Sequence, residues 1–234
     1  MRRDQSGPGL VVTGTGTHVG KTSLARGLAR ALVGRGLRVA ALKPFETGAQ
    51  VNPEDAVALA RACIRPELAH FPGFYRAVLP LSPFAVELSG GTACDPISVL
   101  AAVREAAVGS DAAIVEGAGG LGVPLARGHL FADFATALGW PVLLVARDEL
   151  GVLSYVLTAL ELARSRGLEV EAIALGRPPE PADHSWETNA RALRELGTTR
   201  VLTFSLGDPD DDALAAAALP VLDSLAIGLS WVTT

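Results

Sequence analysis

A glycine-rich segment near the start of the chain constrains the fold more than any other feature. It follows an apolar run at residues 10–12 and opens a helical pattern in which Leu24, Leu28 and Leu32 recur every four residues. This order predicts a strand, a loop and a helix in succession. Backbone N–H groups of such a loop, with the positive end of the helix, bind polyphosphates. The loop comprises Gly14, Thr15, Gly16, Thr17, His18, Val19, Gly20, Lys21 and Thr22.

The last two side chains of this loop have the chemistry that a triphosphate site needs. Lys21 is expected to contact the terminal phosphates, and the Thr22 hydroxyl is expected to bind Mg²⁺. A strict P-loop has four residues between its first Gly and the Gly-Lys pair. Here Thr15 occupies that first position, and Gly14 lies one residue earlier. The loop is therefore a lengthened variant, which points to a subgroup of P-loop proteins.

Apolar runs alternate with helical patterns along the rest of the chain. Strands are predicted over residues 9–13, 39–42, 112–115, 141–146, 170–175 and 201–204, and helices over 21–33, 54–63, 97–108, 151–166 and 187–196. Either Asp95 or Ser98 caps the helix at 97–108. Residues 66–83 carry four prolines and three aromatics and are expected to be irregular. This alternation predicts an α/β fold of the single-domain P-loop NTPase type, with a mostly parallel sheet covered by helices on both faces.

The length of 234 residues, without repeats or a Ser/Gly-rich linker, predicts one domain. Residues 1–8 are polar and lack the apolar core of a signal peptide, so we expect a short disordered lead before a domain over residues 9–234. No uncharged apolar run reaches the roughly 18 residues that a membrane span needs. The nearest run follows Ala216 and is interrupted by Asp223.

Charge and cysteine content argue against several functions. The formal net charge is −5 without a Lys/Arg cluster, which disfavours a nucleic-acid surface. Cys63 and Cys94 form no Cys-x-x-Cys pair and are expected to be reduced thiols of a cytoplasmic protein. His70, His129 and His184 are scattered without metal-site spacing. No Ser-His-Asp or nucleophilic cysteine pattern is evident.

Two further predicted strands end in residues that can carry chemistry. Lys43 follows the second strand, where it is either a solvated lysine or a cation for transferred phosphoryl oxygens. Glu116 ends a buried strand and precedes three glycines, so it is either a solvated carboxylate or a ligand of Mg²⁺. Asp55, taken alone, is a first-turn helix charge. His18 is expected to pack or to hydrogen-bond. Carboxyl ends of parallel strands meet at one edge, where ligands collect.

Several segments together resemble the dethiobiotin synthetase family, whose members act in the penultimate step of biotin synthesis. They occur in the family's order and span most of the chain. The Lys-Pro-x-x-Thr-Gly and Glu-Gly-Ala-Gly-Gly elements are more specific than the P-loop alone. The matching segments are the loop at 14–22, Lys43-Pro-Phe-Glu-Thr-Gly48, Glu54-Asp55-Ala56, Val115-Glu-Gly-Ala-Gly-Gly120, Phe131-Ala-Asp133 and Leu150-Gly151.

The resemblance implies a reaction and its partners. The substrates are 7,8-diaminononanoate, CO₂ and ATP or another nucleoside triphosphate, with Mg²⁺. One amine takes up CO₂ as a carbamate, the γ-phosphoryl group passes to the carbamate oxygen, and the second amine attacks the mixed anhydride and expels phosphate. The family forms a homodimer with substrate across the interface.

The resemblance also implies residue roles. Lys21 and Lys43, with Thr17, are the catalytic residues. Metal ligands are Thr22, Asp55 and Glu116. Nucleotide is bound by the whole loop and by Gly176, Arg177 and Pro178. Substrate is bound by Thr17, Lys43, Thr47, Gly119, Gly151, Val152, Leu153 and Ser154, the last four at a helix N-terminus that suits the tail carboxylate.

Two departures from the family pattern keep alternatives open. Gly176 stands where many members have an Asn that reads adenine, and Ser154-Tyr155 replaces an Asn-His pair. A nucleotide-binding paralogue without biotin chemistry is therefore one alternative. A partition-type switch ATPase is another, although Gly16 stands where those proteins have a lysine. A cobyrinate amidotransferase would need a glutaminase domain for which this chain is too short.

Overall fold

A six-stranded parallel sheet forms the centre of the molecule. The computed structural model describes residues 9–48, 52–180, 182–207 and 210–225, so the lead predicted at residues 1–8 lies outside the described part. The strands are β1 (Gly9–Gly14), β2 (Val39–Leu42), β3 (Phe45–Thr47), β4 (Tyr75–Ala77), β5 (Ala112–Gly120), β6 (Pro124–Ala126), β7 (His129–Leu130), β8 (Val142–Arg147), β9 (Val170–Arg177) and β10 (Arg200–Ser205). The sheet order is β10-β9-β8-β1-β5-β2. All six predicted strands and their parallel arrangement are confirmed.

The predicted helices are present, and no end is shifted by more than one residue. The helices are α1 (Lys21–Gly34), α2 (Glu54–Ala62), α3 (Pro83–Leu88), α4 (Pro96–Ala107), α5 (Phe131–Leu138), α6 (Val152–Ser165), α7 (Trp186–Glu195) and α8 (Asp211–Ser224). Asp95 caps α4, because its Oδ1 accepts the Ile97 N–H at 3.1 Å. The Ser98 hydroxyl donates to Asp95 instead of capping. No helix among the described residues is long and apolar enough to cross a bilayer.

The prediction that residues 66–83 are irregular is wrong in part. A 3₁₀ helix spans Pro66–His70, and β4 pairs in parallel with β3. The Tyr75 N–H donates to the Pro44 carbonyl at 2.8 Å, which begins this pairing. Pro66 and Pro83 stand in the first turn of their helices, where a missing N–H costs nothing. Tertiary pairing gives this proline-rich segment its structure.

Helices cover both faces of the sheet. Alternate residues of β8 point to opposite faces, and they belong to two different apolar clusters. Leu143 and Val145 join the cluster that contains α1, α5 and α8, whereas Leu144 and Ala146 join the cluster of α6 and α7. The leucine stripe of α1 is fully buried, as its four-residue spacing predicts.

An aromatic cluster ties β3 to α5. Phe45 lies with its ring centroid 6.2 Å from that of Phe131 and 4.9 Å from that of Phe134, both edge-on. Edge-to-face pairs at these separations add about 0.5–1.5 kcal/mol each beyond the area they bury. The cluster anchors the segment that begins at Lys43 to the core.

Candidate active site

The loop between β1 and α1 sits at the carboxyl edge of the sheet. Its start is tied to the neighbouring strand, since the Thr15 N–H donates to the Val145 carbonyl at 3.0 Å. His18 and Gly20 adopt left-handed backbone conformations with φ of 56° and 99°. Left-handed residues in such loops turn backbone N–H groups into an anion-binding concavity. The His18 side chain is exposed, so this residue contributes to the loop through its backbone conformation.

Close backbone packing holds the loop against β5. A Cβ on Gly120 would lie 2.6 Å from the Gly14 carbonyl oxygen, so only glycine fits there. Val19 is buried in the core cluster, and its predicted role in nucleotide binding is therefore restricted to its backbone.

Lys21 folds back onto the loop. Its Nζ donates to the Gly16 carbonyl at 2.6 Å, and the side chain is 6% exposed. Burial lowers the pKa of Lys21 to about 8, although the negative charge of Glu116 opposes this effect. A bound triphosphate would supply the anionic partner that this buried ammonium lacks.

Four side chains meet beside Lys21. Lys43 donates to Glu116 Oε1, lies 2.9 Å from Asp55 Oδ2, and also donates to the Gly117 carbonyl at 3.4 Å. The Thr22 Oγ1 lies 2.8 Å from Glu116 Oε1 and 3.2 Å from Asp55 Oδ1. One hydroxyl carries one proton, so it donates to one carboxylate at a time.

The electrostatics of this cluster favour the charged forms of Lys43 and Asp55. Burial is the largest single influence on Lys43 and lowers its pKa, but Glu116 and Asp55 together outweigh it, and the pKa is raised. Burial also opposes ionisation of Asp55, yet Lys43 and Thr22 hold the pKa of Asp55 below its ordinary value. Lys43 and Asp55 are therefore both charged at neutral pH.

The donor set suits a magnesium ion. Glu116 is fully buried, and its Oε2 has no hydrogen-bond partner among the described residues. An orphaned buried carboxylate oxygen is costly unless a cation completes it. Oxygen ligands are those that Mg²⁺ prefers. Within the described ranges no group of three or more His, Cys, Asp or Glu side chains could hold a metal, so this set depends on the Thr22 hydroxyl.

A cleft of about 720 Å³ opens over these residues. It brings together ten of the 21 predicted site residues, namely Thr17, His18, Gly20, Lys21, Thr22, Lys43, Thr47, Asp55, Glu116 and Gly119. Gly14, Thr15, Gly16 and Val19 belong to the same loop but do not line the cleft.

Two predicted segments are not part of the lining of the cleft of their own chain. Gly176, Arg177 and Pro178 do not line it, and neither do Gly151, Val152, Leu153 and Ser154. The Arg177 guanidinium is committed to the protein, because its Nε donates to the buried Asp148 at 2.8 Å and its Cζ stacks 5.2 Å from the Trp186 ring centre. A Cβ atom on Gly176 would lie 2.9 Å from the side chain of Leu206.

Sequence reasoning did not single out eight of the lining residues, which are Ser23, Phe45, Glu46, Pro80, Ala118, Arg147, Leu206 and Gly207. Glu46 lies in β3 inside the matched Lys43–Gly48 segment, and Arg147 ends β8. The same rule that found Lys43 and Glu116, a polar residue at a strand's carboxyl end, could have found Arg147. Leu206 and Gly207 follow β10, and nothing in their chemistry marks them as site residues.

Known proteins resemble this chain over nearly its whole length. A family model described as an AAA domain matches residues 8–204. The ATP-dependent dethiobiotin synthetase BioD of Anaeromyxobacter dehalogenans strain 2CP-C is 38% identical over 217 residues, which cover 92% of this chain and 96% of that protein. The chain belongs to the dethiobiotin synthetase family. A second member, from Caulobacter sp. strain K31, is 37% identical over 238 residues, covering 96% of this chain and 90% of that one.

A solved structure supports the fold. The signal recognition particle receptor FtsY of Elizabethkingia anophelis superimposes with a TM-score of 0.52 at 18% identity. The match covers 96% of this chain and 64% of that one. At this identity the likeness concerns the architecture only. It agrees with the P-loop type of fold that the dethiobiotin synthetase family shares.

Proposed function

We propose that this protein closes the ureido ring of dethiobiotin from 7,8-diaminononanoate, CO₂ and ATP. Membership of the dethiobiotin synthetase family supports this reaction. The structural observation that carries it is the convergence of two buried lysines, Lys21 and Lys43, with Thr22, Asp55 and Glu116 in one cleft. Such a set neutralises charge on both a triphosphate and a second anion beside it.

The proposed reaction has three steps. An amine attacks CO₂, forming a C–N bond and losing a proton to give a carbamate. A carbamate oxygen then attacks the γ-phosphorus, and ADP leaves. The second amine attacks the anhydride carbon, so inorganic phosphate leaves, a proton is lost and the ring closes. In this proposal Lys43 stabilises the carbamate oxygens, and Lys21 stabilises the transferred phosphoryl group.

Positioning is the second contribution of the chain. Thr17 and Thr47 line the cleft and would hold the diamine and carbamate end, and Gly119 lets substrate approach the backbone. Thr22, Asp55 and Glu116 would hold Mg²⁺, which neutralises phosphate charge when bound. In this proposal the other residues that line the cleft orient the reactants and exclude water.

A second copy of the chain would complete the site. In this proposal the start of α6 binds the tail carboxylate of a substrate held in the partner's cleft. Gly151 caps α6 with a left-handed φ of 95°, and Leu150 and Tyr155 beside it are exposed apolar residues. Because this segment does not line the cleft of its own chain, binding across a homodimer interface gives it a role. We expect the dimer to be cytoplasmic.

A nucleotide-binding paralogue is the second candidate. The Ser154-Tyr155 pair and Gly176 depart from the family pattern at the substrate tail and at the base. The intact cluster of Lys21, Lys43 and Glu116 favours the ligase. A switch ATPase is disfavoured, because Gly16 stands where those proteins carry a lysine.

The deciding experiment is a product assay. The protein is incubated with diaminononanoate, bicarbonate, Mg²⁺ and either ATP or CTP, and dethiobiotin and the nucleoside diphosphate are quantified. The ligase forms both products in equal amounts, and the two triphosphates report the base preference. Tight nucleotide binding without dethiobiotin from any triphosphate would favour the paralogue.

A further inference from the structure

A buried carboxylate beside the cleft holds the first turn of α2. Glu46, in β3, is 7% exposed. Its Oε1 accepts the backbone N–H of Asp55 at 2.9 Å, and its Oε2 accepts the backbone N–H of Ala56 at 3.0 Å. Both oxygens of this side chain are therefore bonded to α2. A carboxylate that accepts backbone N–H groups forms strong, charge-assisted bonds.

The residue at the N-cap position of α2 does not cap this helix with its side chain. Pro53 occupies that position and makes no side-chain hydrogen bond to the helix. The first N–H groups of a helix have no partner within the helix and need one from elsewhere. Glu46 supplies it from a different element, so the location of the first turn of α2 depends on β3.

This first turn carries Asp55, whose position matters to the site. Asp55 lies 3.2 Å from the Thr22 hydroxyl and 2.9 Å from the Lys43 ammonium through its two carboxylate oxygens. A shift of about 1 Å in the backbone of Asp55 would break one of these contacts. Lys43 follows β2, and Glu46 lies three residues later in β3, so one short segment positions both the lysine and, through Glu46, its carboxylate partner Asp55.

We propose that Glu46 is a positioning residue that fixes Asp55 opposite Thr22 and thereby couples Mg²⁺ binding to triphosphate binding. It contacts no reacting atom in this role. The inference rests on the proposed function only in taking Thr22, Asp55 and Glu116 as the magnesium ligands. Residues that orient a metal ligand through hydrogen bonds change metal affinity by about 10–100-fold when they are replaced.

The test measures nucleotide binding without turnover. The dissociation constant of ATP is determined by calorimetry with excess Mg²⁺ and again with EDTA, in the absence of diaminononanoate. The ratio of the two constants is the magnesium coupling. Glu46→Gln keeps the side-chain volume, but its NH₂ faces a backbone N–H, so the coupling is expected to fall roughly tenfold. The constant measured with EDTA is expected to stay within about twofold of that of the wild type, because the loop is untouched.

Two control variants make the result specific. Glu54→Gln removes an exposed carboxylate from the same first turn of α2 and is expected to leave the coupling unchanged. Asp55→Asn removes the ligand itself and is expected to lose at least as much coupling as Glu46→Gln. Glu46→Ala should act like Glu46→Gln or more strongly, and if it fails to fold, the glutamine variant decides.

The outcomes separate this inference from the proposed function. Wild-type coupling in Glu46→Gln, with coupling lost in Asp55→Asn, overturns the role of Glu46. Unchanged coupling in Asp55→Asn overturns the magnesium assignment and the inference with it. Coupling that falls as expected in a protein that makes no dethiobiotin upholds the inference and contradicts the ring-closing function alone.

Discussion

At the scale of single residues, the site is served by the only two lysines of the chain. The other 18 basic residues are arginines, so Lys21 and Lys43 are the sole side-chain amines. Their environments differ, because Lys21 is bonded to a carbonyl and Lys43 to two carboxylates. Reagents that modify amines can therefore distinguish the two lysines.

The two amines should differ in reactivity at pH values near 8. The pKa of Lys21 is about 8, whereas that of Lys43 is raised. As the pH rises through 8, Lys21 loses its proton and becomes nucleophilic, while Lys43 stays protonated. Trinitrobenzenesulfonate should modify Lys21 first, and peptide mass spectrometry locates the label. The Lys21→Arg variant is the control, and modification of Lys43 at an equal rate would contradict the assignment.

Replacing Lys43 by alanine should reduce dethiobiotin formation by about 10²–10³-fold, as is typical for loss of one preorganised charge donor. The same change leaves Glu116 buried without its cation, and removing one partner of a buried pair costs about 3–5 kcal/mol. Bound Mg²⁺ should restore part of the lost free energy of unfolding, because it would neutralise the carboxylates that Lys43 no longer contacts. Turnover is measured by product formation, and stability by urea unfolding with and without Mg²⁺. Near-normal turnover would remove Lys43 from the mechanism.

At the scale of elements, close packing of α1 against α8 sets the helix that carries Lys21. A Cβ on Gly27 would lie 2.4 Å from the Leu214 carbonyl oxygen, whereas a Cβ on Gly34 meets nothing within 4 Å. Alanine favours a helix by about 1 kcal/mol over glycine. Gly27→Ala should nevertheless lower the free energy of unfolding, and Gly34→Ala should not. Equal effects of the two variants in urea unfolding would contradict this packing.

Arg76 joins three segments behind the cleft. Its guanidinium donates to the carbonyls of Lys43 at 2.9 Å, Tyr75 at 2.9 Å and Ala69 at 3.2 Å. Arg76→Ala should destabilise the fold by about 2–3 kcal/mol, since each orphaned carbonyl costs about 1 kcal/mol. Arg104→Ala is the matched control, because its exposed guanidinium donates to the Ala137 carbonyl. Urea unfolding midpoints compare the two, and an equal loss would refute the role of Arg76.

Elements that depend on distant partners were the ones that the sequence did not predict. Apolar strands such as β1 and β8 and the leucine stripe of α1 are visible in local pattern. In contrast, β3 and β4 exist because they pair with each other, and α5 spans only 8 residues, too few to show a helical period. The strand-end rule found Lys43 and Glu116. Asp55 was predicted as a site residue only from the family resemblance. Its position depends on the hydrogen bonds to Glu46, and a local sequence pattern does not reveal these bonds.

At the scale of the whole molecule, the expected dimer can be tested by complementation. If substrate spans two chains, Lys43→Ala and Ser154→Glu variants have defects in different halves of the same site. The acidic residue in the first turn of α6 suits the helix but repels a substrate carboxylate. Mixed and refolded together, the two inactive variants should regain roughly a quarter of wild-type turnover, from one intact site in each heterodimer. No recovery, with dimers confirmed by light scattering, would place the whole site in one chain.

Both lysines of the site are already hydrogen-bonded within the protein. Lys21 rests on the Gly16 carbonyl, and Lys43 rests on Glu116 and Asp55. An arriving nucleotide must therefore displace the Gly16 carbonyl before a phosphate can contact the Lys21 ammonium. The enthalpy of nucleotide binding should be less favourable than the number of phosphate contacts suggests. The rate of nucleotide binding should include a step in which Lys21 breaks its hydrogen bond to the loop. The Gly16 carbonyl oxygen occupies, beside Lys21, the position of the phosphate oxygen that displaces it.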